Sequence, residues 1–160
     1  MPLIETKGLS KTYISGETKT EALKDVDLTV EKGEFASITG PSGSGKTTLF
    51  NLIGAIDTPT SGDIYFEDEK LTDKSRKELT FFRRQQIGFI FQTFNLIPVL
   101  TAFENVAFPL HLLKEEKGKL EDKVNSLLKR VGLKGMENRK PSALSGGQQQ
   151  RVAVARALIK

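Results

Sequence analysis

Apolar and polar residues alternate in the N-terminal part of the chain, which predicts paired strands. The clearest stretch is 26–30 (VDLTV), and residues 3–30 as a whole are typical of antiparallel structure. The mostly apolar run 35–39 (FASIT) predicts another short strand, and residues 47–53 (TTLFNLI) place leucine and isoleucine at helical intervals. The pattern therefore predicts a strand, a glycine-rich connection and a helix in succession.

The middle of the chain predicts two more strands on either side of a polar helix. Residues 63–67 (DIYFE) and 87–91 (IGFIF) have the composition of strands, and the second is apolar enough to be buried. Residues 74–86 predict the helix, in which basic residues are mixed with Glu78 and two phenylalanines. This mixture favours a solvated helix face and no nucleic-acid partner, because binding a phosphate backbone recruits many cations at once.

The sequence changes character at Thr101, after which no strand pattern appears. Thr101 and Glu104 form a capping-box signature that opens a helix, and residues 120–131 are amphipathic with Gly132 as a stop signal. We therefore expect a helical subdomain over about 93–145.

Composition narrows the class of protein. With 160 residues, of which 38% are hydrophobic and 28% charged, the chain fits one soluble globular domain with a substantial core. It has no cysteine, which excludes disulfides and thiolate metal sites, so any metal is expected to arrive with a substrate. No stretch has the length and apolar character of a signal-peptide core or a membrane span.

The connection at residues 40–47 (GPSGSGKT) matches the phosphate-loop pattern GxxxxGK[ST]. Glycines let backbone N–H groups converge on phosphate oxygens, Lys46 supplies a mobile positive charge, and the Thr47 hydroxyl is a potential Mg²⁺ ligand. The N-terminus of the following helix adds partial positive charge. The residues expected to hold a nucleoside triphosphate are Gly40, Pro41, Ser42, Gly43, Ser44, Gly45, Lys46, Thr47 and Thr48.

A second motif, LSGGQ, lies near the C-terminal end of the sequence. Ser145 and Gln148 predict a capping box at the start of a helix. This does not explain Gly146 and Gly147, which weaken a first helical turn unless another group approaches the backbone closely. An anion bound at this helix N-terminus would explain them.

With both motifs in one chain, the sequence resembles the ATP-binding subunits of ABC transporters over nearly its whole length. The LSGGQ signature of that family is followed here by 149–158 (QQRVAVARAL), as in the family. Residues 9–13 (LSKTY) resemble the adenine-stacking loop, with Tyr13 as the aromatic residue, and Gln92 lies in a counterpart of the glutamine loop.

The resemblance implies an α/β fold, that of the P-loop NTPases with the architecture of an ABC nucleotide-binding domain. It assigns about 1–92 to an antiparallel β-subdomain and the P-loop core, 93–145 to a helical subdomain and 145–160 to the signature helix. In the family, a strand ending in Asp, a catalytic Glu and a switch His come next, and none of these follows in this sequence. We therefore expect a partial domain that lacks the C-terminal part of the core and is catalytically incomplete alone.

The resemblance also implies ligands and partners. ATP and Mg²⁺ would be the cofactors, with Lys46 and Gln92 in catalytic roles and Thr47 and Gln92 as metal ligands. A homodimer would place the signature residues 145–148 of one subunit against the ATP of the other. The only histidine, His111, is expected to be a packing or surface residue.

Within the family, residues 57–62 and 94–106 look most like the lipoprotein-releasing and macrolide-export branch. The helical subdomain would there contact a membrane permease, so that the protein would be cytoplasmic and peripheral on the membrane through its partner. Four apolar residues fit this interface and core packing equally well, namely Leu96, Ile97, Val99 and Leu100.

Two other functions stay open at this point. One is a nucleotide-binding module without hydrolysis. The other is an ABC-type ATPase that acts on DNA or ribosomes. Against the latter, Ser145 follows Gly40 by only 105 positions (145 minus 40), which leaves no room for a long coiled coil, and no second glycine loop is present.

Overall fold

The computed structural model describes residues 1–160, apart from the side chain of Lys117. The chain divides into two compact units, Met1–Phe81 and Phe82–Lys160. The strands are β1 (Pro2–Ser15), β2 (Thr18–Glu31), β3 (Ser61–Phe66) and β4 (Glu69–Lys70). The helices are α1 (Lys46–Ile53), α2 (Arg76–Gln86), α3 (Ala102–Leu112), α4 (Lys117–Arg130) and α5 (Gly146–Leu158), with a short 3-10 turn at Pro141–Ala143.

The first unit is built on an antiparallel sheet with the strand order β2-β1-β3-β4. Strand β1 pairs with β2 on one side, where Thr6 faces Leu28, and with β3 on the other, where Ile4 faces Phe66. The strands predicted over residues 3–30 and 63–67 are therefore confirmed.

Helix α1 contacts strand β2 and carries the predicted apolar spacing. Its buried side chains are Leu49 and Leu52, and Leu9, Leu23 and Ile64 of the sheet are buried in the same unit. Burial of a leucine side chain stabilises a fold by about 1.5–3 kcal/mol. Packing of this apolar face therefore holds α1 against β2.

The strand predicted at residues 35–39 is absent from the described structure. The segment has no strand pairing, and Phe35 is 99% exposed. A strand needs hydrogen bonds to a neighbour as well as an apolar pattern. The described residues provide no such neighbour, so the prediction of a strand here is wrong.

The prediction of a buried strand at residues 87–91 is wrong for the same reason. The segment is unpaired, Ile90 is exposed, and the Phe91 ring is exposed and stacks on Phe89 at 5.7 Å between ring centroids. Gly88 passes close to α5, since a Cβ built there would lie 2.1 Å from the Ala157 carbonyl oxygen. The backbone of this segment therefore lies against a helix and not against a strand.

The second unit, Phe82–Lys160, contains a helical core. Helix α3 begins with the predicted capping box, in which the Thr101 hydroxyl accepts from the Glu104 N–H and the Glu104 carboxylate accepts from the Thr101 N–H. Helices α3, α4 and α5 contact one another. The buried residues that form this core are Ala102, Val106, Ala107, Leu110, Leu120, Val124, Leu128, Leu133, Leu144, Val152, Ala155 and Ile159.

The segment before α3 is held by a buried asparagine. The Asn105 side chain is fully buried; its Oδ1 accepts from the Ile97 N–H, and its Nδ2 donates to the carbonyl oxygens of Ile97, Leu100 and Thr101. Leu96 packs against the helical core, whereas Val99 is 70% exposed. The apolar residues of this segment therefore divide between core and surface.

His111, predicted to be a packing or surface residue, is exposed near the end of α3. On α2, Arg76, Lys77 and Arg84 are exposed while Leu79 is buried, as expected for a solvated basic face.

Among the described residues, no helix is both long and apolar enough to cross a bilayer.

Candidate functional site

The predicted phosphate loop, residues 40–48, leads into helix α1 of the first unit. The helix begins at Lys46, and Gly45 caps it in the left-handed conformation with a φ of 85°. A Cβ at Gly45 would lie 2.4 Å from the Ala22 carbonyl oxygen. Both the backbone angle and the neighbouring strand β2 therefore require glycine at this position.

The Lys46 ammonium lies inside the loop that precedes it. Its Nζ donates hydrogen bonds to the carbonyl oxygens of Gly40 at 2.9 Å and Pro41 at 2.6 Å, and to Ser44 Oγ at 3.3 Å. These contacts use the three donors of an ammonium group. A polyphosphate would replace neutral acceptors with charged ones, which form stronger hydrogen bonds.

The first turn of α1 adds partial positive charge next to this ammonium. No described side chain caps α1, and its first turn carries no acidic residue. The N–H groups of this turn are therefore left to an external acceptor, and the helix dipole favours an anion there. Thr47 is exposed in the turn and Thr48 is half-buried, so the Thr47 hydroxyl is accessible to a ligand.

Tyr13, the predicted stacking residue, lies near the end of β1 and is 41% exposed. Its hydroxyl donates to Asp57 Oδ2 at 3.0 Å, and the Lys11 ammonium lies over its ring, 4.9 Å from the centroid. Lys11 also donates to Asp57 Oδ1 at 2.9 Å. The aromatic ring is thus held at its hydroxyl and on one face, and part of its surface remains open.

These contacts favour the charged form of the Asp57 carboxyl. Partial burial raises its pKa, but hydrogen bonds from Lys11, the Thr58 N–H and Tyr13 outweigh burial and lower the pKa below its ordinary value of 3.8. An ionised carboxylate therefore lies at the centre of this cluster near neutral pH.

Gln92 lies in the second unit, exposed in a turn that follows the unpaired segment 87–91. Phe94 and Asn95, two and three positions after Gln92, have left-handed backbones with φ values of 52° and 46°. Arg156 of α5 donates to both of their carbonyl oxygens, at 2.8 and 2.6 Å. Burial lowers the pKa of this guanidinium, which still remains charged.

The LSGGQ residues form the start of α5, also in the second unit. Ser145 Oγ accepts from the Gln148 N–H at 3.3 Å, and Gln148 Oε1 accepts from the Ser145 N–H at 2.9 Å, so the predicted capping box is present. A Cβ built at Gly146 or Gly147 would meet no described atom within 4 Å. Packing within the described chain therefore does not explain why both positions are glycine.

The described units divide the predicted site residues into two groups. The phosphate loop and Tyr13 belong to Met1–Phe81, whereas Gln92 and residues 145–148 belong to Phe82–Lys160. Among the described residues, no group of three or more His, Asp or Glu side chains is arranged to hold a metal ion.

Sequence motifs do not reveal the hydrogen bonds that Lys11, Asp57 and Arg156 form. Asp57 lies 46 positions after Lys11 in the sequence, and charged residues at such a separation carry no periodic signal. The one available signal is local, since an acidic residue shortly after a helix and directly before a Thr-Pro-Thr turn is well placed to accept turn N–H groups.

Comparison with protein families matches residues 23–160 to the family described as ABC transporter. The chain is 49% identical over 156 residues to the ABC transporter ATP-binding protein MJ1508 of Methanocaldococcus jannaschii, covering 98% of this chain and 70% of the relative. It is 48% identical over 157 residues to the macrolide export ATP-binding/permease protein MacB of Escherichia coli. That alignment covers 98% of this chain but only 24% of MacB.

Solved structures give the same result for the fold. The chain superposes with a TM-score of 0.90 and 48% identity on a dimeric post-hydrolysis state of the ATP-binding cassette MJ0796 bound to ADP and Pi. The match covers 98% of this chain and 69% of that one. The predicted fold class, an α/β ABC nucleotide-binding architecture with an N-terminal antiparallel sheet and helices, is therefore confirmed.

Proposed function

We propose that this chain, which belongs to the ABC transporter family, binds ATP in the loop at residues 40–48 as part of the ATP-binding subunit of a transporter. The observation that carries the proposal is the loop itself, with its uncapped helix start and enclosed ammonium. Backbone N–H groups, a mobile lysine and a helix N-terminus together are the means by which proteins hold the phosphates of a nucleotide.

Base recognition is assigned to Tyr13, whose ring surface is partly open. Stacking of a nucleobase on an aromatic side chain contributes about 1–3 kcal/mol in single-stranded nucleic-acid complexes, and a similar contact would add affinity for the adenine of ATP. The phosphate loop alone does not choose the base, so this contact would supply part of the preference.

Mg²⁺ fits the oxygen donors of the site when it arrives with the nucleotide. Mg²⁺ commonly keeps several waters and takes one or two protein ligands beside substrate phosphates. The exposed Thr47 hydroxyl would be one such ligand, and the exposed Gln92 side chain is the second candidate. The bound ion would neutralise charge on the phosphate oxygens.

The LSGGQ residues are assigned to the nucleotide of a second copy. The bare backbone at Gly146 and Gly147, together with the N-terminus of α5, would allow a phosphate of the partner's ATP to approach closely. The dimeric state described for the MJ0796 cassette supports a paired arrangement. Binding of ATP would then draw two copies together, and its loss would release them.

Coupling to transport is assigned to the second unit. MacB is described as an ATP-binding/permease protein, and the helical core with the Gln92 turn would face such a permease part on the cytoplasmic side of a membrane. Exposed apolar residues available for this contact include Val99, Phe108 and Leu112. The substrate would be set by the permease part.

A second candidate function is binding of the nucleotide without appreciable hydrolysis. The 160 residues contain no counterpart of the Asp, the Glu and the switch His that the family places after the signature helix, so we propose that this chain alone binds ATP with little turnover. Phosphate release by the isolated chain measures this directly. Mg²⁺-dependent turnover on the order of 1 per second or faster, which is ordinary for enzymes, would reject it.

The binding assignment is tested by titrating MgATP into the 160-residue chain by calorimetry. Lys46→Ala is expected to weaken binding at least tenfold, about 1.4 kcal/mol, because it removes the positive charge enclosed by the loop. Lys77→Ala, which removes an exposed lysine on α2, is the matched control and should bind like the unchanged chain. Equal affinity of the Lys46→Ala variant would reject the loop as the nucleotide site.

A further inference from the structure

We propose that Asp57 and Lys11 are positioning residues for the ring of Tyr13, so that the turn after α1 sets the orientation of the base-stacking surface. The proposal rests on the proposed ATP site and deepens it. It assigns the specificity for the base to a cluster of three side chains rather than to one aromatic residue.

The geometry fixes the tyrosine at two different places. The hydroxyl donates to Asp57 Oδ2 at 3.0 Å, while the Lys11 ammonium lies 4.9 Å from the ring centroid. The hydroxyl contact limits where the tip of the side chain points, and the cation over one face limits rotation of the ring plane. A base can therefore stack only on ring surface that Lys11 leaves open.

The anchors are themselves held in place. Asp57 Oδ1 accepts from the Thr58 N–H at 2.7 Å and from Lys11, which also donates to the Thr58 carbonyl oxygen at 2.6 Å. The Lys11 side chain is only 12% exposed and that of Asp57 31%. Both charges are therefore partly withdrawn from solvent. Water and salt weaken an ion pair in such a position less than they weaken a pair on an open surface.

The cluster connects the ring to the helix that begins at the phosphate loop. The Asp57 N–H donates to the Asn51 carbonyl oxygen of α1 at 3.1 Å. Beyond Asp57, the Thr60 N–H donates to the Ser10 carbonyl oxygen at 2.9 Å, and Thr60 Oγ1 accepts from the Thr12 N–H at 3.0 Å. Bonds on both sides of Asp57 therefore tie the end of α1 to the part of β1 that carries Tyr13.

Such a cluster affects base binding differently from phosphate binding. A ring that is already held loses less conformational freedom when a base stacks on it. Removing the anchor should therefore weaken binding of ATP, whereas inorganic tripolyphosphate, which has no base, should bind the loop as before. A purely structural role of Asp57 would weaken both ligands together.

The test measures the affinity of the full 160-residue chain for MgATP and for magnesium tripolyphosphate by calorimetry. Asp57→Asn and Tyr13→Phe are each expected to weaken ATP binding about three- to tenfold, the loss that freeing one side chain predicts. Binding of tripolyphosphate should change by less than about twofold. The double variant should lose less affinity than the sum of the two single losses, since both substitutions act on the contact between Tyr13 and Asp57.

The matched control is Tyr65→Phe, which removes a tyrosine hydroxyl from β3 in the same unit and should leave both affinities unchanged. Tyr13 and Tyr65 are the only tyrosines in the sequence, which has no tryptophan. In the Tyr65→Phe background, tyrosine emission therefore reports on Tyr13 alone, and ATP but not tripolyphosphate should alter it. Tyr13→Phe removes only a hydroxyl and keeps the affinity test available if Asp57→Asn unfolds.

Three results would overturn the positioning role. They are an unchanged ATP affinity in both variants, an equal loss for ATP and tripolyphosphate, and additive losses in the double variant. Failure of the unchanged chain to bind either polyphosphate would instead reject the proposed function, and the positioning role with it.

Discussion

At the scale of a single residue, the ionised state of Asp57 makes stability depend on pH. Its pKa is lowered in the folded chain, so its contribution is fully present above the ordinary value of 3.8 and is lost as pH falls through the lower folded value. The unchanged chain should therefore be more stable than Asp57→Asn near neutral pH, and the difference should shrink below about pH 4.

Thermal melts of the two chains followed by circular dichroism between about pH 7 and pH 3 measure this difference. A gap in melting temperature that stays constant across the range, or that widens in acid, would contradict the assignment of the lowered pKa to Asp57. Other carboxyl groups titrate in both chains and therefore cancel in the comparison.

The same residues show what can be predicted from sequence at this scale. The phosphate loop is predictable because its glycines, Lys46 and Thr47 act within eight consecutive positions (40 to 47), where spacing alone determines the geometry. The anchoring of Tyr13 by Asp57 is not predictable in this way. It depends on a turn after α1 folding back on β1, and only the tertiary structure brings the two together.

At the scale of an element, Asn105 determines how the segment before α3 is held. Its buried side chain satisfies the N–H of Ile97 and three backbone carbonyl groups. Asn105→Ala should lower the free energy of unfolding by about 2 kcal/mol or more, because buried backbone groups are left without partners.

Urea denaturation of the 160-residue chain checks this prediction, with Asn125→Ala as the control. Asn125 is exposed on α4, and its replacement should change stability by about 0.5 kcal/mol or less. A similar midpoint for both variants would show that water replaces the Asn105 contacts at little cost.

At the scale of elements, sequence patterns predict helix starts better than they predict strands. The capping boxes at Thr101 and Ser145 are predictable because each needs only residues three positions apart. The segments 35–39 and 87–91 have apolar sequences typical of strands, but strand formation requires a hydrogen-bonded neighbour elsewhere in the fold. A local pattern records the preference of a segment and does not show whether that neighbour is present.

At the scale of the whole molecule, the two compact units carry different parts of the proposed site. The loop at 40–48 and Tyr13 belong to the first unit and the LSGGQ residues to the second. In the proposed pair, the signature of each copy serves the ATP of the other, so that one chain supplies two half-sites. Nucleotide affinity and association of two copies are therefore coupled. Affinity must be measured at a stated protein concentration, and association at a stated ATP concentration.

At Gly147, the stability of the fold and the proposed pairing of two copies favour different residues. It lies in the first turn of α5, where an added Cβ meets no described atom within 4 Å. Gly147→Ala should therefore keep the fold and raise its stability by up to about 1 kcal/mol, because alanine favours a helix over glycine. The same methyl group would stand between the helix backbone and a phosphate of the partner's ATP, so ATP-dependent association should weaken.

Sedimentation velocity with and without MgATP, together with thermal melts, measures both effects in one protein. Ser142→Ala provides a control, since Ser142 is exposed in the preceding 3-10 turn and should leave association unchanged. A variant at Gly147 that is stable and still pairs as strongly in ATP would show that the glycines do not meet a partner's nucleotide. Weaker pairing in a chain of equal or greater stability would instead mean that the glycine serves the interface, at a cost to the helix that carries it.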